Sequence, residues 1–176
     1  VDYLEKFNIK VFGPNKKASQ LEGSKIFTKK LCEKYKIPTA KFGIFDSSGS
    51  AKKYLNNSNY PVVIKADGLA SGKGVYICEN KDQANIAVKE IFDGKFGDAD
   101  NVLIEEFLEG EEMSFFIISD GKTYKKFGTA QDHKRVLEGD KGKNTGGMGA
   151  YSPSRLENEE LNKKILDKII DPTLKV

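Results

Sequence analysis

Arginine is nearly missing from this chain of 176 residues: among 29 lysines and arginines, only Arg135 and Arg155 are arginine. Proteins that read nucleic-acid bases lean on arginine's fork of donors. A net charge of only +3 supplies no field that would draw a nucleic acid or an anionic membrane. Cysteine is as scarce. Cys32 and Cys78 lie far apart and form no C-x-x-C pair; they read as reduced core thiols of a cytoplasmic protein. No apolar run is long enough to span a bilayer, and none reads as a signal peptide. Neither nucleic acid nor membrane is therefore expected as a partner. Histidine occurs once, as His133, and a lone imidazole serves a structural hydrogen bond as readily as catalysis. Internal repeats and low-complexity stretches are missing too.

What is present suits a soluble chain of one domain or two small lobes: 38% hydrophobic residues for a core and 31% charged residues for a surface. Strands and helices alternate, but hairpins are frequent, which points to an α+β fold built on antiparallel sheets.

The most informative stretch is P-V-V-I-K-A-D-G-L-A-S-G-K-G-V-Y-I-C, from Pro61 to Cys78. Val62 to Ile64 read as a buried strand, Val75 to Cys78 as another, and the return is too short for a crossover helix, so a hairpin is expected. Gly68, Gly72 and Gly74 punctuate the loop, which also holds Ser71 and Lys73. Glycines let backbone N–H groups converge on an anion. With Lys65 ending the first strand, its ammonium offered little else to pair with, a polyphosphate is the natural ligand. Such a loop is expected to be mobile alone and ordered by the ligand. The spacing excludes a P-loop, G-x-x-x-x-G-K-S/T, and a dinucleotide fingerprint, whose third glycine would fall on Ile77. The same glycines would also suit an ordinary hairpin tip on the surface.

Elsewhere, the pattern predicts the tail of a helix at Leu4 to Phe7, a short strand at Lys10 to Phe12, and one helix from Ser19 to Tyr35. That helix shows Leu21, Phe27, Leu31 and Tyr35 near one face, and Pro38 stops it. Lys25 sits near its start, where free N–H groups favour an anion. A strand is expected at Lys41 to Phe45, a short helix at Ala51 to Asn56, and a helix capped by Asn80 with an apolar stripe at Ala84, Ala87, Val88, Ile91 and Phe92. Asn101 to Leu108 reads as a strand carrying Glu105 and Glu106 in succession, so one of them should look inward. Met113 to Ser119 reads as a buried strand that turns at Asp120-Gly121 and pairs with Thr123 to Ala130. Gln131 to Tyr151 reads as a long functional loop that gathers His133, Lys134, Arg135, Asn144 and Thr145, all able to hold phosphate or carboxylate. A final helix is expected from Asn158 to Ile170, ending before Pro172.

Five blocks in order, F-G-P-N-K-K-A-S-Q-L-E-G-S-K, V-I-K-A-D-G-L-A-S-G-K-G-V, I-E-E-F-L-E-G-E-E-M-S-F, A-Q-D-H-K-R and N-T-G-G-M-G-A-Y-S-P, resemble the ATP-grasp ligases and, within them, the glycinamide ribonucleotide synthetase family. The resemblance runs from Phe12 to Pro153. It implies an ATP-grasp fold, two α/β lobes with largely antiparallel sheets clamping ATP under the glycine loop. It further implies an ATP-dependent carboxylate–amine ligase of purine biosynthesis, joining glycine to 5-phosphoribosylamine through a glycyl phosphate. By position, Lys25 and Lys65 would contact the nucleotide phosphates and Ser71, Gly72, Lys73 and Gly74 would cover them. Glu105, Glu106, Phe107 and Leu108 would read the adenine edge through backbone groups, and Glu112 would hold the ribose hydroxyls. Asp132, His133, Lys134, Arg135, Asn144, Thr145, Gly146 and Gly147 would form the substrate-side loop.

The family also uses magnesium, or manganese, held in an E-F-N-C-R-F-G-D block that does not occur here; those ligands are expected beyond Val176, and this stretch alone is expected not to turn over. The ends look cut, and the resemblance implies a central piece without the family's N- and C-terminal domains. Residues 1–43 would be a linker and helix, 44–108 a lid subdomain with the glycine loop, and 109–176 the first part of a second subdomain. Another ATP-grasp ligase with a different acceptor, or a non-catalytic nucleotide-binding piece, remains open at this point.

Overall fold

The structure is a computed structural model that describes residues 1–68, 74–97, 100–139 and 141–175; the side chains of Arg135 and of residues 141–144 fall outside the description. The chain divides into two compact units, Val1–Leu108 and Glu109–Val176.

In the first unit a four-stranded antiparallel sheet has the order β1-β4-β2-β3, formed by β1 (Phe42–Phe45), β2 (Val62–Ala66), β3 (Val75–Cys78) and β4 (Val102–Glu106). Strand β2 alternates: Val62, Ile64 and Ala66 are buried while Val63 and Lys65 face the other way, as a period of two requires. Val62, Ile64 and Ala66 join Val102 and Ile104 of β4 in a core roofed by α4 (Ser48–Leu55) and α5 (Lys81–Phe92), through Ala51, Leu55, Ala84, Ala87, Val88 and Ile91. Asn80 caps α5 by accepting from the Gln83 amide at 3.0 Å, and the Gln83 side chain accepts from the amide of Glu79, the residue before the cap, at 2.9 Å, a capping box displaced by one residue. The opposite face of the sheet carries Lys65, Leu103 and Glu105. Glu105 is directly opposite Val63, so Lys65 is its diagonal neighbour.

Residues 19–35 do not form one helix. A short α2 (Gln20–Gly23), preceded by α1 (Asp2–Glu5) near the start of the chain, ends at Ser24, whose backbone is extended at φ −139°, ψ 116°; α3 (Lys25–Tyr35) begins after it. The Ser24 hydroxyl accepts from the Phe27 amide at 3.0 Å, and N-cap chemistry of this kind restarts a helix where periodicity alone would run straight through. Only Ile26 of α3 is buried, whereas Leu21 and Tyr35 of the expected face are each 37% exposed. The helix stops at Lys36 in the left-handed region, before Pro38 is reached. Residues 10–12 form no strand.

In the second unit β5 (Ser114–Ser119), β6 (Tyr124–Asp132) and β9 (Ala150–Tyr151) pair in the order β5-β6-β9, and β7 (Arg135–Leu137) pairs with β8 (Lys141–Asn144) as a separate hairpin. The predicted long loop is thus largely strand; its polar, glycine-rich composition hid short pairings that need no core residues. Strand β5 is not buried throughout: its residues alternate, and Phe116 and Ile118 are nearly half exposed. The final helix starts on its Asn158 cap as α6 (Glu159–Ile165), widens into a π-helical turn at Leu166–Ile170, and continues through Pro172 as α7 (Asp171–Leu174). Pro172 sits in the first turn of α7, where a missing N–H costs least, so it does not end the helix.

Thr129 of β6, almost wholly buried, donates its hydroxyl to Glu157 and accepts from the Ser154 amide at 3.1 Å. Glu157 also pairs with Lys126. These contacts, led by the Lys126 hydrogen bond, pull the Glu157 carboxyl down to about 2. A depressed carboxylate stabilises the fold fully above its unfolded value, and that contribution drains away as pH falls through the folded one. Thermal unfolding followed between pH ~5 and ~2 should therefore show a falling Tm in the wild type and a shallower fall in Glu157→Gln; equal slopes would remove Glu157 from the acid transition.

Candidate functional site

The face of the first sheet opposite α4 and α5 gathers three ammonium groups around two carboxylates. Glu105, 6% exposed, lies between Lys65, 2.9 Å from Oε2, and Lys29, 3.2 Å from Oε1. The Lys65 contact is a hydrogen bond. The Lys29 contact is an ion pair only, since Oε1 is buried without a hydrogen-bond partner. Lys29 donates instead to the Thr39 hydroxyl at 2.6 Å and to the Ala40 carbonyl at 3.4 Å. Lys65 is therefore not free of partners, contrary to the sequence-based expectation. Of Glu105 and Glu106, one looks inward as the strand period demands; Glu106 points outward and accepts from the Lys41 amide at 2.8 Å, tying β4 to the start of β1.

Lys25 stands at the end of the same sheet. Its ammonium donates to the Gly68 carbonyl at 2.6 Å. Partial burial pushes its pKa down, Asp67 opposes that shift and Lys65 adds to it. The first N–H groups of α3 are not open to an anion: Asp67 Oδ1 takes the Ile26 amide at 3.1 Å, and Ser24 takes that of Phe27. Gly68, at φ +83°, holds a backbone conformation that side chains rarely tolerate. Gly74 is buried and its carbonyl accepts from the Ala66 amide at 2.8 Å, prolonging the hairpin beyond β2 and β3. Ser71, Gly72 and Lys73 lie outside the described residues. Phe107 and exposed Leu108 follow Glu106, the last paired residue of β4.

An open groove of about 560 Å³ runs along α2 and α3, lined by Lys16, Gln20, Phe27 and Lys30 among others. It includes none of Lys25, Lys65 and Glu105; the charged cluster, not this groove, is the chemically organised place in this unit.

In the second unit the end of β6 and the turn before β9 are stitched together. The His133 amide donates to the Gly149 carbonyl at 2.9 Å, the Met148 amide to the His133 carbonyl at 2.8 Å, and the Thr145 hydroxyl and amide both donate to the Lys134 carbonyl. Gly147, at φ +116°, lies so close to Asp132 that a Cβ would sit 3.0 Å from its carboxylate; Gly146 has open space around it. The His133 ring lies 5.6 Å from that of Tyr151. Lys134 pairs with Glu112 at 3.1 Å, both well exposed. Asp132, His133, Lys134, Thr145, Gly146 and Gly147 are thus one neighbourhood, with Glu112 joined through Lys134. The side chains of Arg135 and Asn144 lie outside the described residues.

Three lysines facing two carboxylates leave one net positive charge beside the root of the glycine loop, a donor set that fits a nucleotide's phosphates. A metal fits less well: among the described residues no group of three or more His, Cys, Asp or Glu side chains could hold one. Sequence reasoning missed Ser24, Lys29 and Asp67. The signal for Ser24 was available, since a serine before a charged first turn is a helix start; Lys29 and Asp67 carry no local signal, because their partners are distant in the chain.

Comparison with known proteins places this geometry. The family of the phosphoribosylglycinamide synthetase ATP-grasp (A) domain matches over residues 23–176. A protein of Mesorhizobium japonicum described as a phosphoribosylamine–glycine ligase is 53% identical over 175 residues, 99% of this chain, and one of Leptospira interrogans with the same description is 50% identical over 173. The chain spans 41% of the length of each. The crystal structure of the Thermotoga maritima phosphoribosylamine–glycine ligase superposes with a TM-score of 0.85 at 36% identity, over 94% of this chain and 42% of that one. The biotin carboxylase domain of a Hydrogenobacter thermophilus 2-oxoglutarate carboxylase, solved with MgADP, ADP and bicarbonate, superposes at 0.77 with 21% identity, over 99% of this chain and 38% of that one; at that identity the likeness is one of fold.

Removing Glu105 would leave Lys29, 12% exposed, and Lys65 facing each other without an anion, and breaking a buried pair at one partner is strongly destabilising. Glu105→Gln should cost about 3 kcal/mol in urea unfolding. An unchanged midpoint would show that the two lysines are adequately solvated without it.

Proposed function

The chain belongs to the phosphoribosylglycinamide synthetase ATP-grasp (A) domain family, and on that premise we propose that it is the nucleotide-binding part of an ATP-dependent ligase joining glycine to 5-phosphoribosylamine in the cytoplasm. The observation that carries this reading is the lysine-rich cluster beside the glycine loop, with Lys25 and Lys65 held by short hydrogen bonds at the sheet end. ATP supplies the phosphoryl group that activates the glycine carboxylate, after which the amine of 5-phosphoribosylamine displaces phosphate, giving glycinamide ribonucleotide, ADP and phosphate.

In this reading Lys25 and Lys65 neutralise the charge of the nucleotide's phosphates. Such transfer depends mostly on positioning and charge stabilisation, which fixed ammonium groups supply without reorganising. Ser71, Gly72, Lys73 and Gly74 cover the phosphates and keep water from the activated carboxylate. The main chain from Glu105 to Leu108 reads the adenine edge, where the chain runs out of the paired part of β4. Glu112 takes the ribose hydroxyls. Asp132, His133, Lys134, Arg135, Asn144, Thr145, Gly146 and Gly147 hold the glycine and phosphoribosylamine side; the positive φ of Gly147 lets the turn close on Asp132 without a Cβ between them. Magnesium, when bound with the nucleotide, would offset part of the charge of its phosphates.

The chain should bind ATP in a calorimetric titration with magnesium present. Lys65→Met should weaken that binding by about 1.5–3 kcal/mol, the scale of a hydrogen bond to a charged group. The same affinity in wild type and mutant would reduce Lys65 to a partner of Glu105 and sink its assignment to the phosphates.

A further inference from the structure

Asp67 has no place in the nucleotide contacts assigned above, yet among the described residues it makes more cross-element hydrogen bonds than any lysine in the cluster. Its two oxygens accept from the Ser24 hydroxyl at 3.1 and 3.0 Å, and Oδ1 also accepts from the Ile26 amide at 3.1 Å. These donors flank Lys25 on both sides along the chain. The next residue after Asp67, Gly68, presents the carbonyl that takes the Lys25 ammonium at 2.6 Å. Lys25 is therefore held at both ends, backbone and head, by two consecutive residues at the root of the glycine loop.

We propose that Asp67 is a positioning residue for the nucleotide phosphates: it fastens the first turn of α3 to the loop root and thereby sets where the Lys25 ammonium stands. The proposal rests on the ligase reading, because it takes Lys25 as a phosphate ligand. A long lysine side chain loses substantial rotamer freedom when it is held in one place, and α3 restarts after the extended Ser24 instead of continuing α2, so its first turn has a freedom of direction that one continuous helix would lack. The Ser24 hydroxyl removes that freedom by donating to Asp67 while accepting from Phe27. Asp67 also supplies the negative charge closest in effect to a half-buried ammonium that Lys65 opposes. A carboxylate serving only as a helix cap would need neither the glycine after it nor the lysine it encloses.

The test combines a double-mutant cycle with a measurement made without nucleotide. ATP affinity with magnesium is read by calorimetry, well below the unfolding temperature, for wild type, Asp67→Ala, Lys25→Met and the double variant. Asp67→Ala should bind about tenfold more weakly, the scale of one charge-assisted hydrogen bond. The same substitution should add little in the Lys25→Met background, because residues acting through one another are not additive. Asp67→Asn, which keeps an acceptor for Ile26, should recover part of the loss. In the nucleotide-free chain, reductive methylation of Lys25 relative to exposed Lys30 of the same helix should speed up several-fold in Asp67→Ala. Wild-type affinity in Asp67→Ala with a lowered Tm would reduce Asp67 to a cap, and an equal loss in both backgrounds would show that it acts independently of Lys25; either overturns the proposal. A wild-type chain that binds no ATP overturns the ligase reading instead, and the methylation ratio then decides the clamp: an unchanged ratio removes it.

Discussion

A carboxylate that is almost completely withdrawn from water keeps its charge only if cations come with it, and in the first unit this constraint organises everything around Glu105. Two cations answer it, Lys65 from the neighbouring strand and Lys29 from α3. One binds along the sheet and the other across it, so the ion pairs fix the lateral register of β2 against β4 and the position of α3 over the face. Desolvation costs several kcal/mol per buried ion, which makes the triad a poor source of stability and a strong source of specificity: a slip of one residue would turn Glu105 into the apolar core beneath α4 and α5. The apolar residues say that a sheet and two helices pack; the charges determine how the remaining face is occupied.

The two faces of β4 make the same point in one strand. Val102 and Ile104 belong to the core, while Leu103 and Glu105 face the charged side. A strand buried on both faces reads in sequence as a continuous apolar run, and N-V-L-I-E-E-F-L departs from that run at the one place where a charge is needed. Of the two lysines that meet it, Lys65 is the one proposed above to contact phosphate, while Lys29 belongs to the ion pair alone.

Legibility followed the range of the interactions. The hairpin around the glycine loop, the capped helix after Asn80 and the inward glutamate were all readable, because a period of two, an Asn-x-x-Gln box and alternating strand faces are local rules. The break at Ser24 was missed since the apolar spacing on both sides is compatible with one helix, and a single capping hydroxyl decides otherwise. The passage of the last helix through Pro172 was missed because proline was read as a stop, whereas a proline in the first turn of a new helical segment loses no bond. The hairpin of β7 and β8 was missed because Lys-Gly-Lys-Asn and the glycine-rich stretch around it show no apolar alternation in sequence. On the candidate site, Lys25, Lys65 and the Asp132–Gly147 neighbourhood could be named from motifs. Asp67 and Lys29 could not, since nothing near them in the chain distinguishes them from surface polar residues; Ser24 carried a capping signal that the apolar periodicity on either side overrode.

The pairs that build the lysine cluster are all remote in sequence: Ser24 meets Asp67 across 43 positions and Lys65 meets Glu105 across 40. Closing such loops costs conformational entropy before any contact repays it, and topologies dominated by such closures are slow to assemble. The helices of the first unit and the β2–β3 hairpin can begin to form from neighbouring residues, but the cluster exists only after β4, the last strand of its sheet to leave the ribosome, has inserted between β1 and β2. A nascent or partly unfolded chain therefore displays the lysines as ordinary solvated side chains with no organised anion site. A nucleotide bound at that site, as proposed, would recognise only the closed sheet, and its binding energy would accrue to the folded state alone.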